Sequence, residues 1–142
     1  MKVVVDTNGL LNSIPKNSAK RWLYDAFIAK EFIWVFSNEI LAEYAEMVAS
    51  EYSERAMEIV LSILLTANNS LRFEPFYNWQ LVIDDPDDDK FVDCAIGANV
   101  DYLVTDDRHI KGLLRIDNLF PPVPIISFEQ FRKLLLKNKM LF

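Results

Sequence analysis

The sequence predicts an α/β fold built on a mainly parallel sheet, and three observations predict it. Short, apolar, β-branched runs (Lys2 to Val5, Phe32 to Phe36, Tyr102 to Thr105) alternate with longer segments of helical spacing. Strands separated by helices pair in parallel, because each crossover returns the chain to the same end of the sheet. No internal repeat, linker or composition break interrupts the 142 residues, a length that suits one domain, residues 1–142, with a single core.

Each element has its own signal. Lys2 to Val5 reads as a buried strand ending at Asp6. Asn17 or Ser18 can cap a helix in which Trp22, Leu23, Ala26 and Phe27 share a face. Phe32 to Phe36 is the second strand, closed by Ser37-Asn38-Glu39, which begin a helix carrying Ile40, Leu41, Tyr44, Met47 and Val48 at helical spacing. Ser53 starts another helix, to about Ala67. Its polar stripe is so thin (Arg55, Glu58, Ser62, Thr66) that burial on more than one side is expected, by its own domain or by a second subunit. Asn68 to Ser70 reads as a loop, and Leu71 to Ile83 carries no clear pattern. Pro86 suits the first position of a helix, predicted over Asp87 to Asn99 with Phe91, Val92, Ala95 and Ile96 inward. Tyr102 to Thr105 is the third strand, followed by a short helix near His109 to Leu114. Pro121, Pro122 and Pro124 mark a connection, Val123 to Ile126 a last strand, and Ser127 with Gln130 a capping box for the terminal helix.

Composition narrows the function classes. With 51% hydrophobic and 25% charged residues the chain is neither a disordered tail nor low-complexity. Fifteen basic against 21 acidic residues give a net charge of −6 and exclude a partner held mainly by bulk positive charge. Nucleic acid is not thereby excluded, because a bound metal reverses the sign of a local site. The one cysteine, Cys94, allows no internal disulfide and no Cys-based zinc site, so a reducing cytoplasm is expected. Val3 to Val5 is too short for a signal peptide's apolar region, and no run approaches the ~18 apolar residues of a spanning helix. The expected protein is cytoplasmic, with no membrane partner.

In parallel sheets chemistry gathers along the carboxyl edge, where strands end and helices begin. The acids are placed there repeatedly. Asp6 ends the first strand, and Glu43 borders the buried face of the next helix beside Ile40 and Met47. Asp89 falls in the first turn of the helix opening at Pro86, Asp93 lies one turn later, and Asp107 falls just past the third strand. Such a cluster repels itself unless a cation neutralises it. All-oxygen ligands without His or Cys select Mg²⁺ or Mn²⁺. Carboxylates holding such ions can position water for attack on a phosphodiester, with no nucleophilic side chain required. The ordinary alternatives are helix caps at Asp87 to Asp89, a solvated turn over Asp84 to Asp88, and a turn residue at Asp107. A charge at Glu43, on the border of an apolar face, needs a partner in either case.

With those residues in place, the chain resembles the PIN-domain family of metal-dependent ribonucleases, which includes VapC-type toxins of toxin–antitoxin pairs. The resemblance covers nearly the whole length. Its marks are VVVDTN (Val3 to Asn8), SNEILAEY (Ser37 to Tyr44), DPDDDKFVDCAIGANVDYLVTDD (Asp85 to Asp107) and the closing segment from Pro124 to Phe131. It implies a three-layer α/β/α fold and an acidic, metal-binding set on Asp6, Glu43, Asp89 and Asp107. Asp93 is a possible fifth acid, and Asp88 competes with Asp89 because the Asp run leaves a one-residue ambiguity. Thr7, Asn8 and Thr105 match polar positions that arrange the acids and metal-bound water in the family. One departure is Asp106, where small or basic residues are commoner. The implied activity is endoribonuclease cleavage, with a small antitoxin as partner and a homodimer as assembly.

RNA must still reach an acidic protein. Lys16, Lys20 and Arg21 follow the first strand, and Arg108, Lys111 and Arg115 follow the last acid, so both groups are expected near the carboxyl edge, where they could hold phosphates. His109 is expected to pack or cap the short helix. Two alternatives stand beside the nuclease. A haloacid-dehalogenase-like phosphatase also uses a strand-end Asp, but needs a second acid two residues on, where Asn8 stands. A non-catalytic RNA- or protein-binding domain would be favoured by loss of an acid, and none is lost.

Overall fold

The computed structural model describes residues 1–141. Five strands, β1 (Lys2–Val5), β2 (Ile33–Phe36), β3 (Ser70–Arg72), β4 (Tyr102–Val104) and β5 (Ile125–Ile126), form one all-parallel sheet in the order β3-β2-β1-β4-β5. Seven α-helices are described: α1 (Thr7–Ser13), α2 (Arg21–Ile28), α3 (Asn38–Glu51), α4 (Glu54–Thr66), α5 (Asp89–Gly97), α6 (Arg108–Lys111) and α7 (Phe128–Met140). They complete the expected three-layer α/β/α architecture. Central β1 has no freedom to be polar: Val3, Val4 and Val5 are wholly buried. One hydrophobic cluster runs from these residues to Phe128, Phe131 and Leu135 of α7.

The topology fixes where a site can form. The chain winds outward from β1 through β2 to β3, then crosses back to the other side of β1 for β4 and β5. Winding therefore reverses between β1 and β4, and the two connections leaving these strands part to open a crevice at their carboxyl ends.

Several boundaries differ from expectation for identifiable reasons. α1 has no counterpart in the sequence reading. Its composition (TNGLLNS) is poor in helix formers, and it is held instead by Asp6 as N-cap and by burial of Leu10 and Leu11. α2 is capped at Lys20, whose amide donates to Ser18 Oγ at 3.2 Å, so Ser18 orders the turn rather than the helix itself. The helix predicted from Asp87 begins at Asp89, because Pro86–Asp88 close a 3₁₀ turn ahead of it. The unpatterned stretch after α4 opens with β3, a three-residue edge strand with Leu71 40% exposed, too short and too open to show a period. α4 is buried on one side only within the chain: Leu64 is buried, while Ile59 and Leu65 are each 49% exposed. The capping box at Ser127 and Gln130 forms as read. Among the described residues no helix is long and apolar enough to cross a membrane.

One close approach ties the site to the far helix. A Cβ on Gly9 would lie 2.1 Å from Phe128 Cζ, and Phe128 is itself buried. Gly9→Ala must push α1 off α7, and is expected to destabilise the protein by about 1–3 kcal/mol, read as a lowered urea midpoint. An unchanged midpoint would show that the ring yields freely.

Candidate active site

Two strand-end carboxylates are placed by capping. Asp6, 6% exposed, accepts the Gly9 amide on Oδ1 at 2.8 Å and the Thr105 hydroxyl on Oδ2. Thr105 Oγ1 in turn accepts the Asp107 amide at 2.9 Å, so one buried hydroxyl joins the ends of β1 and β4. Asp107 caps α6: its Oδ1 accepts the amides of His109 (2.8 Å) and Ile110 (3.2 Å). Capping and site membership are thus not rivals at these positions. The cap fixes one oxygen of Asp107 and leaves Oδ2 for the crevice. Burial raises the Asp6 carboxyl to about 6, against the lowering effect of Thr105 and Gly9.

Glu43 arrives on α3, and its neighbour explains how. Tyr44 is wholly buried; its hydroxyl donates to the Val5 carbonyl and accepts from Trp34 Nε1 at 3.2 Å. That chain pins α3 to the last residue of β1, one position before Asp6, and turns Glu43 toward the crevice. Glu43 Oε2 accepts the Thr7 hydroxyl, and Oε1 accepts Lys90 Nζ at 2.7 Å. The partner that a charge at this position needs is therefore Lys90, a residue sequence reasoning missed. Its only signal was position, a cation one residue past an Asp run.

The Asp run resolves by geometry. Asp6, Thr7, Asn8, Glu43, Met47, Asp88, Phe91 and Asp107 line a cavity of about 180 Å³ at the β1/β4 crevice. Asp88 is in that cavity; Asp89 and Asp93 are not. Asp89 Oδ1 accepts the Val82 amide and Asp93 Oδ1 the Trp79 amide, each at 2.9 Å. Both carboxylates face the preceding loop and anchor it to α5. The structure does not bring Asp89 to Asp6, Glu43 and Asp107; after the 3₁₀ turn over Pro86–Asp88 it is Asp88, the alternative the run leaves open, that lines the cavity with them. Burial, then the charges of Asp107 and Asp85, push the Asp88 carboxyl up to about 7. Asp93 is also raised, chiefly by burial.

The basic residues divide. Arg108, His109, Lys111 and Arg115 line a larger cavity of about 740 Å³ with Asp84 and Asp106. Lys20 pairs with Asp106 at 3.4 Å and lies 4.5 Å from the Phe128 ring centroid, at the rim beside Asp6. Arg21 is engaged elsewhere: it donates to the Ile14 carbonyl, pairs with Asp25 and stacks over Tyr24. Lys16 is exposed in the turn before α2.

The donor set fits a hard divalent cation. Every candidate ligand is an oxygen, and Asp88 Oδ2 is buried without a hydrogen-bond partner. An orphaned carboxylate oxygen among three further carboxylates is the local demand a cation meets. Among the described residues no group of three or more acidic, His or Cys side chains is closed around one point as it stands.

Comparison with known proteins agrees with this architecture. A PIN-domain family model matches residues 2–109. No curated protein matches the chain. Solved structures share the fold, and three of them illustrate it. VapBC2 from Rickettsia felis, bound to a DNA fragment from its promoter, superposes with a TM-score of 0.61 at 22% identity over 90% of this chain and 99% of that one. VapC20 of Mycobacterium tuberculosis, a sarcin–ricin loop cleaving toxin, gives 0.59 at 10% identity over 78% and 94%. The PIN-domain endonuclease Utp24 gives 0.53 at 19% identity over 89% and 84%.

Proposed function

The chain belongs to the PIN-domain family, and from that premise we propose that it is a Mg²⁺- or Mn²⁺-dependent endoribonuclease, the toxin of a toxin–antitoxin pair. The observation that carries this reading is the crevice itself: Asp6, Glu43, Asp88 and Asp107 line one cavity where the winding reverses, and one of their buried oxygens has no partner. Family membership sets aside the phosphatase alternative.

Asp6, Asp88 and Asp107 are the residues that would hold the cation. When bound, such an ion lowers the pKa of water and offsets charge on the phosphate under attack. The protein's own part is orientation. Thr105 fixes Asp6 and the Asp107 amide, the α6 amides fix Asp107, and Thr7 fixes Glu43. Asn8 lines the cavity. The cavity lining offers no Ser, Cys or His as nucleophile, and the Thr7 hydroxyl is donated to Glu43, so water is the attacking group this site suits. Arg108, Lys111 and Arg115, which line the larger cavity, and Lys20, which pairs with Asp106 of that lining, would hold phosphates beside the cut.

Antitoxin pairing, a cytoplasmic location and one domain over residues 1–142 complete the proposal. A homodimer would use the exposed side of α4, at Ile59 and Leu65.

The test pairs Mn²⁺ calorimetry on metal-stripped protein with cleavage of a labelled RNA pool, wild type beside Asp107→Asn. Wild type is expected to bind Mn²⁺ and cut RNA. Asp107→Asn keeps the α6 cap and loses the charge, so it should lose at least the roughly 10–100-fold that removal of a supporting partner costs at a metal site. Binding without cleavage of any RNA would favour the non-catalytic alternative. Neither binding nor cleavage would reduce the carboxylates to caps and turns.

A further inference from the structure

We propose that Lys90 is a built-in counter-ion that takes Glu43 out of metal coordination, so that the site holds one divalent cation per chain rather than two. The inference rests on the metal-site reading above and adds the stoichiometry, which the family premise leaves open.

The geometry is that of a committed pair. Lys90 Nζ lies 2.7 Å from Glu43 Oε1, and the two side chains are only 11% and 26% exposed. A surface ion pair contributes little and exchanges readily with water, but this one is costlier to break, chiefly because Lys90 would be left a largely enclosed charge without a partner. Among the described residues Lys90 is the only Lys or Arg in an ion pair with one of the four cavity acids.

Oxygen accounting points to the same stoichiometry. Both Glu43 oxygens are occupied, Oε1 by Lys90 and Oε2 by Thr7. Both Asp6 oxygens accept a hydrogen bond, and Asp107 Oδ1 accepts two. Asp107 Oδ1 alone carries the α6 cap, and neither Asp88 oxygen accepts a protein hydrogen bond, Oδ2 being buried as well. Two ions held side by side need a set of carboxylates large enough to share between them. One Mg²⁺ or Mn²⁺ needs only one or two carboxylates, because it keeps several of its waters. With Glu43 tied to Lys90, the carboxylates on offer match the second case.

The test is a Mn²⁺ titration by calorimetry, with electron paramagnetic resonance to detect a coupled Mn²⁺ pair, on metal-stripped wild type, Lys90→Arg and Lys90→Gln. Wild type and Lys90→Arg are expected to take one ion per chain. Lys90→Gln frees a carboxylate and should take two, with a coupled signal. Two ions in wild type, or one in a folded Lys90→Gln, would overturn the proposal. Should Lys90→Gln fail to fold, Glu43→Gln decides: one ion bound within about threefold of wild-type affinity supports the assignment, and loss of binding makes Glu43 a direct ligand and overturns it. No binding in wild type overturns instead the metal-site reading on which the proposal rests.

Discussion

Asp88→Asn is expected to abolish RNA cleavage, a loss of at least about a hundredfold, while Asp89→Asn leaves the rate within about threefold of wild type. The two residues are adjacent and chemically identical, so only their placement can separate them. Asp88 lines the carboxylate cavity and carries the orphaned oxygen, whereas Asp89 Oδ1 accepts the Val82 amide. An Asn at 88 removes a negative charge where a cation must be held. An Asn at 89 still presents a carbonyl oxygen to Val82, and nothing is lost. Asp89→Ala is the complementary variant: it strands the Val82 amide beside a buried side chain, at a cost of about 1–3 kcal/mol in stability with cleavage per folded molecule unchanged. Initial rates and thermal unfolding on the three variants check this together. A cleavage loss at Asp89→Asn equal to that at Asp88→Asn would mean that the 3₁₀ turn unwinds on metal binding and that the run has no fixed register.

That register is where the sequence stopped being legible. Asp6 and Asp107 could be read because each follows an unmistakable strand, and a strand-end Asp has few places to point. Glu43 could be read because Ile40, Tyr44 and Met47 fix the face of α3 it borders. The Asp run offered no such anchor. Pro86 suits the first turn of an α-helix and of a 3₁₀ helix alike, and the two differ in rotation by about 20° per residue, so the run alone does not say which Asp faces the crevice. Lys90 was missed for a related reason: its role depends on reaching across from α5 to α3, a contact between segments 47 residues apart. α1 was missed because its stability is tertiary, supplied by the Asp6 cap and the packing of Gly9 against Phe128 rather than by its own composition. Arg21, grouped by sequence with the cations near the carboxyl edge, has local partners in the Ile14 carbonyl and Asp25 that sequence does not reveal. In each case the strands set the general location and a local hydrogen bond chose the residue.

Burial of the same carboxylates is expected to make the metal-free protein lose stability as pH rises. Asp6 at about 6 and Asp88 at about 7 stay protonated in the folded state at pH values where the unfolded chain, near 3.8, has released its protons. Across that window the folded state binds more protons, so their contribution is full below about pH 4 and lost as pH passes through about 6 to 7. For buried Asp6 the difference corresponds to roughly 3 kcal/mol; half-buried Asp88 adds less, because solvent screens it. At about 2–4 °C per kcal/mol, chelated protein is expected to melt roughly 10 °C lower at pH 8 than at pH 4.5. Mn²⁺ acts in the opposite sense. It binds ionised carboxylates, so at a hundredfold excess over its dissociation constant it adds about 2.7 kcal/mol at pH 8, and close to nothing at pH 4.5, where protons occupy the same oxygens. Asp6→Asn cannot titrate, so it should flatten the chelated slope and weaken the Mn²⁺ response together. Melting temperatures at the two pH values, in chelator and in Mn²⁺, read all of this directly. A chelated protein that grows more stable through this window, or a Mn²⁺ shift equal at both pH values, would mean that the carboxylates do not share one desolvated site, and the cation would lose its place in the crevice.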